Sequence, residues 1–347
     1  MIEILKKMKR SGSSGVDGIS AEKIKIATRE IAPAICELIN CSFREEVFPQ
    51  QFKLAKVLPL YKNKGSKSDK KNYRPVSNLA ILGKCIEAAA DIQMRKYCEK
   101  YNLFGAHQHG FRRARSTTTA LLSAVSRWRA RKAEKKYQAV VLFDLSAAYD
   151  LLDIRLFLRK ADVLGFSVES INWLRSYLTD RRQLVQVNDA QSEPRNLDCG
   201  TPQGSVCSCL IFAIFVGDIE KWTGSSILQG FADDTFITVV GNSLEDVCKL
   251  AEIESEKVMN YFAINRMVTN PSKTGFLVIR PGKTQQNSAN IKIANECISE
   301  IQEAKILGLW VTNDLKWKKQ IETLISDTNY SLSVLTLTAP GGGGGGH

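Results

Sequence analysis

The sequence contains no Cys-x-x-Cys pair, although it holds nine cysteines, at 36, 41, 85, 98, 199, 207, 209, 248 and 297. That absence, with an odd count, argues against both a zinc site and a disulfide framework. Cys207 and Cys209, one residue apart, read as two small buried side chains rather than metal ligands. The set reads as reduced thiols of an intracellular protein. No apolar run is long enough to span a membrane. The nearest approach, the uncharged stretch Cys199–Gly217, is broken by Pro202, Gln203, Gly204 and serines. No signal peptide opens the chain, since Met1–Arg10 is amphipathic and lysine-rich. A soluble protein is therefore expected, with no membrane partner. Internal repeats are also missing, and so is a strict strand–helix alternation, which points to the α+β class.

Positive charge is plentiful but local. Lys and Arg number 48 against 36 Asp and Glu, a net charge of +12. Residues 53–75 hold eight basic residues and one acid, and residues 112–136 hold nine and one. These windows contribute +7 and +8, so the remainder sums to −3. Concentrated basicity of this kind suits a groove for an anionic partner such as nucleic acid.

Apolar periodicity predicts a helix from Ser20 to about Glu46, with Pro33 kinking or dividing it. Further helices are expected at 79–101, 117–135 (capped from Ser116-Thr117-Thr118-Thr119), 154–164, 168–179, 206–221, 243–265 and 316–336. Strands are expected at 55–61, 139–144, 184–188, 273–279 and 304–311. The six glycines before His347 cannot pack a core and read as a tag, linker or assembly scar.

The chemistry centres on Phe231-Ala232-Asp233-Asp234-Thr235. Two adjacent acids lie between β-branched and aromatic flanks, as if at the bend of a hairpin. Alone, the pair suits either a solvated turn or a cation site, because adjacent carboxylates in an apolar frame repel and resist desolvation. A second acid, Asp144, ends the apolar run Ala139–Phe143, 89 residues upstream of Asp233. If the two strands are neighbours, their carboxylates converge. Oxygen ligands with open positions suit Mg²⁺, and a pair of such ions can serve phosphoryl transfer. The residues thus support a metal-dependent nucleotidyl transferase.

Seven segments, in order, resemble the reverse transcriptase domain of non-LTR (LINE-type) retrotransposons, related to group II intron enzymes. They are Asn72-Tyr73-Arg74-Pro75-Val76-Ser77, Gln108-His109-Gly110-Phe111-Arg112 with Ser116-Thr117-Thr118, and Asp144-Leu145-Ser146-Ala147-Ala148-Tyr149-Asp150. The others are Gly200-Thr201-Pro202-Gln203-Gly204-Ser205, the Asp233-Asp234 pentad, Asn270-Pro271-Ser272-Lys273-Thr274 and Leu307-Gly308 in the primer-grip region. The resemblance covers about residues 12–325.

It implies a right-hand polymerase fold of fingers and palm, an antiparallel palm sheet with helices, and a truncated thumb. The expected division is an N-terminal extension (1–50), fingers (51–138), palm (139–315, with interleaved helices at 154–182), the start of a thumb (316–338) and the tail (339–347). It further implies an RNA-directed DNA polymerase using an RNA template, a DNA primer and dNTPs, with two Mg²⁺ ions for which Mn²⁺ may substitute. Asp144 and Asp233 would ligate both ions with the Leu145 carbonyl, and Asp234 would support them. Tyr149 would be the steric gate against a ribose 2′-OH. Gln203 and Gly204 would line the incoming nucleotide and its template base. Lys62, or Lys64 in another loop register, and Arg74 would clamp the triphosphate. Lys273 would either protonate the leaving pyrophosphate or neutralise charge. Two departures stand out: Cys209 occupies a position where proline is common, and Tyr149 one where many relatives carry phenylalanine. The chain reads as a fragment, and a truncated remnant that only binds nucleic acid is the alternative.

Overall fold

The computed structural model describes residues 1–106, 108–270, 273–282 and 288–338, apart from the side chains of 330–338. The glycine-rich tail and Pro271-Ser272 of the Asn-Pro-Ser-Lys-Thr segment lie outside the described residues.

The expected 20–46 helix is two helices. After α1 (Ile2–Lys7), α2 (Ala21–Ile26) stops at Ala27, and α3 (Thr28–Arg44) runs on through Pro33. The break lies at Ala27 rather than at the proline. There the Thr28 hydroxyl donates to Lys25 O at 3.0 Å, competing with the backbone ladder. Burial of Ala32, Ile35 and Ile39 carries α3 past Pro33.

β1 (Leu54–Tyr61) and β2 (Tyr73–Asn78) form an antiparallel hairpin, followed by α4 (Ile81–Lys100) and α5 (Thr117–Ala133). Ser116 and Thr119 close a capping box that starts α5 where the sequence places it. β3 (Tyr137–Phe143) and the short β4 (Leu145–Ser146) flank Asp144. α6 (Ile154–Val163) and α7 (Val168–Leu178) lead to β5 (Arg181–Val187), β6 (Ala190–Gln191) and β7 (Arg195–Leu197). β5 pairs in parallel with β1, Leu54 opposite Arg182, so this stretch joins the β1–β2 sheet although it lies beyond β3 in sequence.

α8 covers Ser208–Phe215 and ends short of the expected Lys221; the chain turns at Val216–Asp218 before a single 3₁₀ turn, Ile219–Lys221. β8 (Ile227–Phe231) and β9 (Asp234–Gly241) make the expected hairpin, and α9 (Leu244–Ile264) follows it. Then come β10 (Val268–Thr269), β11 (Gly275–Ile279), β12 (Asn290–Ile293) and β13 (Glu296–Ile301). The single strand expected at 304–311 is a hairpin, β14 (Glu303–Ile306) and β15 (Leu309–Thr312). Leu307 and Gly308 both take positive φ (49° and 88°), the two-residue turn that reverses a strand pair. α10 (Lys318–Thr338) closes the described chain.

The larger sheet runs β12-β13-β11-β3-β9-β8, antiparallel except for the β11–β13 pair. Its central strands are buried on both faces. Ala139, Val141 and Phe143 of β3, with Ile237 and Val239 of β9, pack into the main core beside α8 and α9. Val140, Phe236 and Leu277 face the other way, under Trp128 of α5 and Ile306 and Val311 of the last hairpin. Two-sided burial is why these strands read as continuous apolar runs. Among the described residues no helix is long and apolar enough to cross a membrane, and all nine cysteines are free thiols.

Candidate active site

The register of the larger sheet brings the acids together. β3 and β9 pair antiparallel with Phe143 opposite Thr235, so Asp144 and Asp234 each directly adjoin that last pair and their charges act on one another. Asp233 lies in the two-residue turn between Phe231 and Asp234, with Ala232 before it at a φ of 60°. A non-glycine residue seldom adopts that conformation, and here it directly precedes Asp233. Beyond Asp144 the chain pairs with β10, Leu145 opposite Thr269, and the Asn270 N–H donates to Asp144 O at 3.0 Å. Lys273, on the loop that follows, places its ammonium 3.3 Å from Asp144 Oδ2.

Of the three neighbouring acids, Asp144 is the one that Lys273 pairs. Asp234 is open to solvent as a residue, yet the protein packed around its carboxyl, and then the charges of Asp233 and Asp144, push that carboxyl above the usual aspartate range. Among the described residues, no group of three His, Cys, Asp or Glu side chains closes around a common point. The backbone instead fixes a neighbourhood of oxygen donors with excess negative charge. That chemistry fits Mg²⁺, which keeps several waters and takes a few carboxylates plus substrate phosphate.

Tyr149 borders the acids. Its half-buried ring stacks at a tilt on Phe212, centroids 4.9 Å apart. Burial first, then the nearby Cys209, Asp233 and Asp234, raise its phenol far above the ordinary value. The Gly200–Ser205 turn packs on the same segment, with the Thr201 N–H donating to Tyr149 O at 2.8 Å. Gln203 donates to both carboxylate oxygens of Asp150, at 3.2 and 3.0 Å. Gly204 has a φ of 98°, and a Cβ there would stand 2.7 Å from Ser77 O. Glycine is thus required both by conformation and by the close approach of β2. The Ser77 N–H donates to Gln203 O at 3.2 Å, tying the turn to the β1–β2 hairpin.

Among the described residues, the basic side chains of that hairpin make no ion pair with the acids, of which Asp144 pairs with Lys273. Lys62 is exposed, and its ammonium donates to Lys71 O at 2.8 Å within the hairpin loop. Lys64 is exposed in the same loop. Arg74 is exposed on β2 opposite Leu60, three residues before Ser77. At about 3.3 Å per strand residue, that puts its backbone roughly 10 Å from the Gln203 contact.

Sequence reasoning missed two supports. In the sequence Asp150 is only the end of a motif, yet in the fold it holds Gln203. The Gln108–Phe111 segment braces the acidic hairpin from its open edge: the His109 N–H donates to Gly230 O at 2.9 Å, and the ring of Phe111 lies 6.3 Å from that of Phe231. Both segments were singled out, but nothing local reveals contacts that span about 50 to 120 residues.

The acids, the Tyr149 ring and the Gln203 turn thus lie together at one end of the larger sheet. The family model described as reverse transcriptase (RNA-dependent DNA polymerase) matches residues 62–320, well over half of the chain. This chain belongs to the reverse transcriptase family. It is similar to the probable RNA-directed DNA polymerase from transposon BS of Drosophila melanogaster, 24% identical over 320 residues, covering 89% of this chain and 35% of that protein. It also resembles the probable RNA-directed DNA polymerase from transposon X-element of the same organism, at 27% identity over 68% of this chain and 26% of that protein. A third relative is the RNA-directed DNA polymerase from mobile element jockey of Drosophila funebris, at 21% identity over 93% of this chain and 36% of that protein. The kinship is with non-LTR retrotransposon enzymes, as the ordered motifs imply. The reverse transcriptase chain spans about a third of the length of these relatives or less. Among solved structures, apo telomerase from Candida tropicalis truncated from its C-terminal domain superposes with a TM-score of 0.52 at 14% identity. It covers 78% of this chain and 55% of the telomerase chain. The fold is that of a right-hand polymerase.

Proposed function

We propose that this reverse transcriptase chain is the polymerising module of a retrotransposon RNA-directed DNA polymerase, intracellular in setting. In this reading it extends a DNA primer on an RNA template. The observation that carries the proposal is the β3–β9 pairing, Phe143 opposite Thr235, which brings Asp144 near Asp234 and Asp233, with Tyr149 and the Gln203 turn alongside.

In the reaction, the primer 3′-OH attacks the α-phosphorus of a dNTP; a P–O bond forms there, and the bond to the bridging oxygen of pyrophosphate breaks. Asp144, Asp233 and the Leu145 carbonyl would hold two Mg²⁺ ions, or Mn²⁺ in their place, with Asp234 in support. Bound there, the ions supply activation of the hydroxyl and neutralisation of the leaving charge. The chain's own residues do the rest. Tyr149 fills the space a ribose 2′-OH would need. Gln203, held by Asp150, and the bare backbone at Gly204 meet the nucleotide and its template base. Arg74, with Lys62 or Lys64, swings onto the triphosphate, where the bidentate geometry of arginine suits phosphate oxygens. Lys273 meets the leaving pyrophosphate as proton donor or counter-charge. In domain terms, 51–138 serve as fingers, 139–315 as palm and 316–338 as the start of a thumb.

Primer extension on an RNA template with Mg²⁺ tests this directly. The wild-type chain extends the primer, and Asp233→Asn loses on the order of 10³-fold in rate. Equal extension by Asp233→Asn removes the assigned site. Salt-dependent RNA binding with no extension by the wild type would instead favour a nucleic-acid-binding role.

A further inference from the structure

A carboxylate outside the site just described is buried beneath it. Glu87 lies on the inward face of α4, among Gly83, Cys85, Ile86 and Ala90, with only 1% of its surface exposed. A lone acid in such a place requires partners. Its Oε2 accepts from Ser205 Oγ at 2.8 Å and from the Val206 N–H at 2.6 Å. The Cys207 thiol donates to the Glu87 backbone carbonyl at 3.2 Å. Ser205 Oγ in turn bonds the hydroxyl of buried Tyr177 on α7 and accepts from the Cys207 N–H at 3.2 Å. The acid thus accepts the Val206 N–H just ahead of α8, where the N–H groups of a helix start lack backbone partners. Burial pushes the Glu87 carboxyl above the ordinary glutamate range, against the opposing charge of the buried Arg181 guanidinium, which lies over the rings of Tyr177 and Phe48.

These contacts matter for the reaction because of what precedes Ser205. Asp150 grips the Gln203 side chain, Ser77 grips the Gln203 carbonyl and crowds Gly204, and Glu87 grips the two residues after the glycine. The first two anchors come from the palm acid loop and the fingers hairpin. The third is the one that comes from below. Without it the two residues behind Gly204 lose their carboxylate acceptor, and Ser205 keeps only its bonds to Tyr177 and Cys207.

We infer that Glu87 is a positioning residue for the incoming nucleotide: acting through Ser205 and Val206, it sets the height of the Gln203-Gly204 turn against the dNTP. This rests on the polymerase reading above. It assigns Glu87 to nucleotide binding, distinct from the acid-centred chemical step and from the grip on template and primer.

Steady-state primer extension on an RNA template, with template–primer affinity measured separately, tests the assignment. Ser205→Ala and Glu87→Ala raise the KM for dNTP about tenfold, the scale of one buried hydrogen bond lost. The same variants keep kcat and template–primer Kd within about twofold. Glu87→Gln, which keeps the shape and an acceptor oxygen, restores most of the affinity. A general structural role predicts something else: kcat, KM and template–primer Kd worsen together, and Gln fares no better than Ala. Either that pattern or an unchanged KM overturns the inference. Where Glu87→Ala fails to fold, Ser205→Ala and Glu87→Gln decide.

A wild-type chain that extends no primer defeats the polymerase reading, and hydrogen exchange then decides the positioning. Ser205→Ala speeds exchange at the 203–207 amides about tenfold while β3 and β9 keep theirs, and Glu87→Gln does not. Unchanged exchange at 203–207 overturns the anchor itself.

Discussion

The ammonium of Lys273 stands 3.3 Å from Asp144 Oδ2, joining the acid at the end of β3 to a lysine 129 residues later in the chain. The lysine side chain remains 65% exposed and the aspartate side chain 41%, so the pair contributes little to stability. Exposed pairs of this kind are typically worth about 0–1 kcal/mol. Its removal therefore reads out chemistry rather than folding. Lys273→Ala should lower kcat about 10²-fold, the scale of a lost general acid, with the melting temperature nearly unchanged. Lys273→Arg separates the two roles open to this lysine. A counter-charge survives the exchange. A proton donor does not, because arginine holds its proton throughout the accessible pH range. Single-turnover rates for the three proteins make the comparison.

Asp234 predicts a pH dependence. Its carboxyl lies above the ordinary aspartate range through partial burial and then the charges of Asp233 and Asp144. The folded chain therefore binds this proton more tightly than the unfolded chain. The resulting stability is fully present below the ordinary aspartate range and is lost as pH rises through the raised value. Asp234→Asn should accordingly melt higher than wild type at pH 7, with the gap narrowing toward pH 4. Mg²⁺ should raise the wild-type melting temperature and do less for the variant. Thermal melts at the two pH values, with and without the ion, check both. A variant no more stable than wild type at pH 7 would contradict the crowding of acids.

Much of this site was legible because its parts are local. Asp144 ends a run that is apolar on both sides of its strand, and Asp233-Asp234 interrupts two such runs, so strand ends and acids could be marked together. Gly204 and Gln203 sit in a turn that proline and glycine announce. The illegible parts are long-range or depend on φ. Leu307 in a left-handed conformation turns one expected strand into a hairpin, and leucine carries no signal for that. β5 pairs with β1 across more than 120 residues, which no window of sequence displays. Glu87 did leave a trace: an acid in the apolar stripe of α4 that ought to have faced solvent and does not.

Tyr149 is the residue whose replacement should change what is polymerised rather than how fast. Its ring rests on Phe212, beside Asp233 and Asp234. Truncation to alanine opens that space while leaving the acids in place. Tyr149→Ala should raise rNTP incorporation relative to dNTP at least about tenfold, within the range by which pocket shape discriminates one small group. Because the ring is only half buried, the stability loss should stay below the roughly 3–5 kcal/mol of a fully buried aromatic. Tyr149→Phe keeps the ring and should keep the ratio. Competition between the two nucleotides in a primer-extension assay measures it, and an unchanged ratio in Tyr149→Ala takes the residue out of the site.

Gly110 offers the sharpest test of how the acidic hairpin is held. A Cβ at this position would lie 2.5 Å from Ala232 N and 3.3 Å from its Cα, backbone atoms of the very turn that carries Asp233. The obstruction is main chain, so no side chain can swing aside to relieve it. Gly110→Ala must push the turn outward or displace the Gln108–Phe111 brace, and overpacking of this kind costs about 1–3 kcal/mol. A displacement near 1 Å at a catalytic group costs about 10²-fold in rate. Gly110→Ala should therefore lose both stability and extension rate. Gly12→Ala, where nothing lies within 4 Å of the added carbon, should lose neither. If Gly110→Ala loses stability at full rate, the brace serves the fold alone, and the turn at Ala232 is held by β8 and β9 without it.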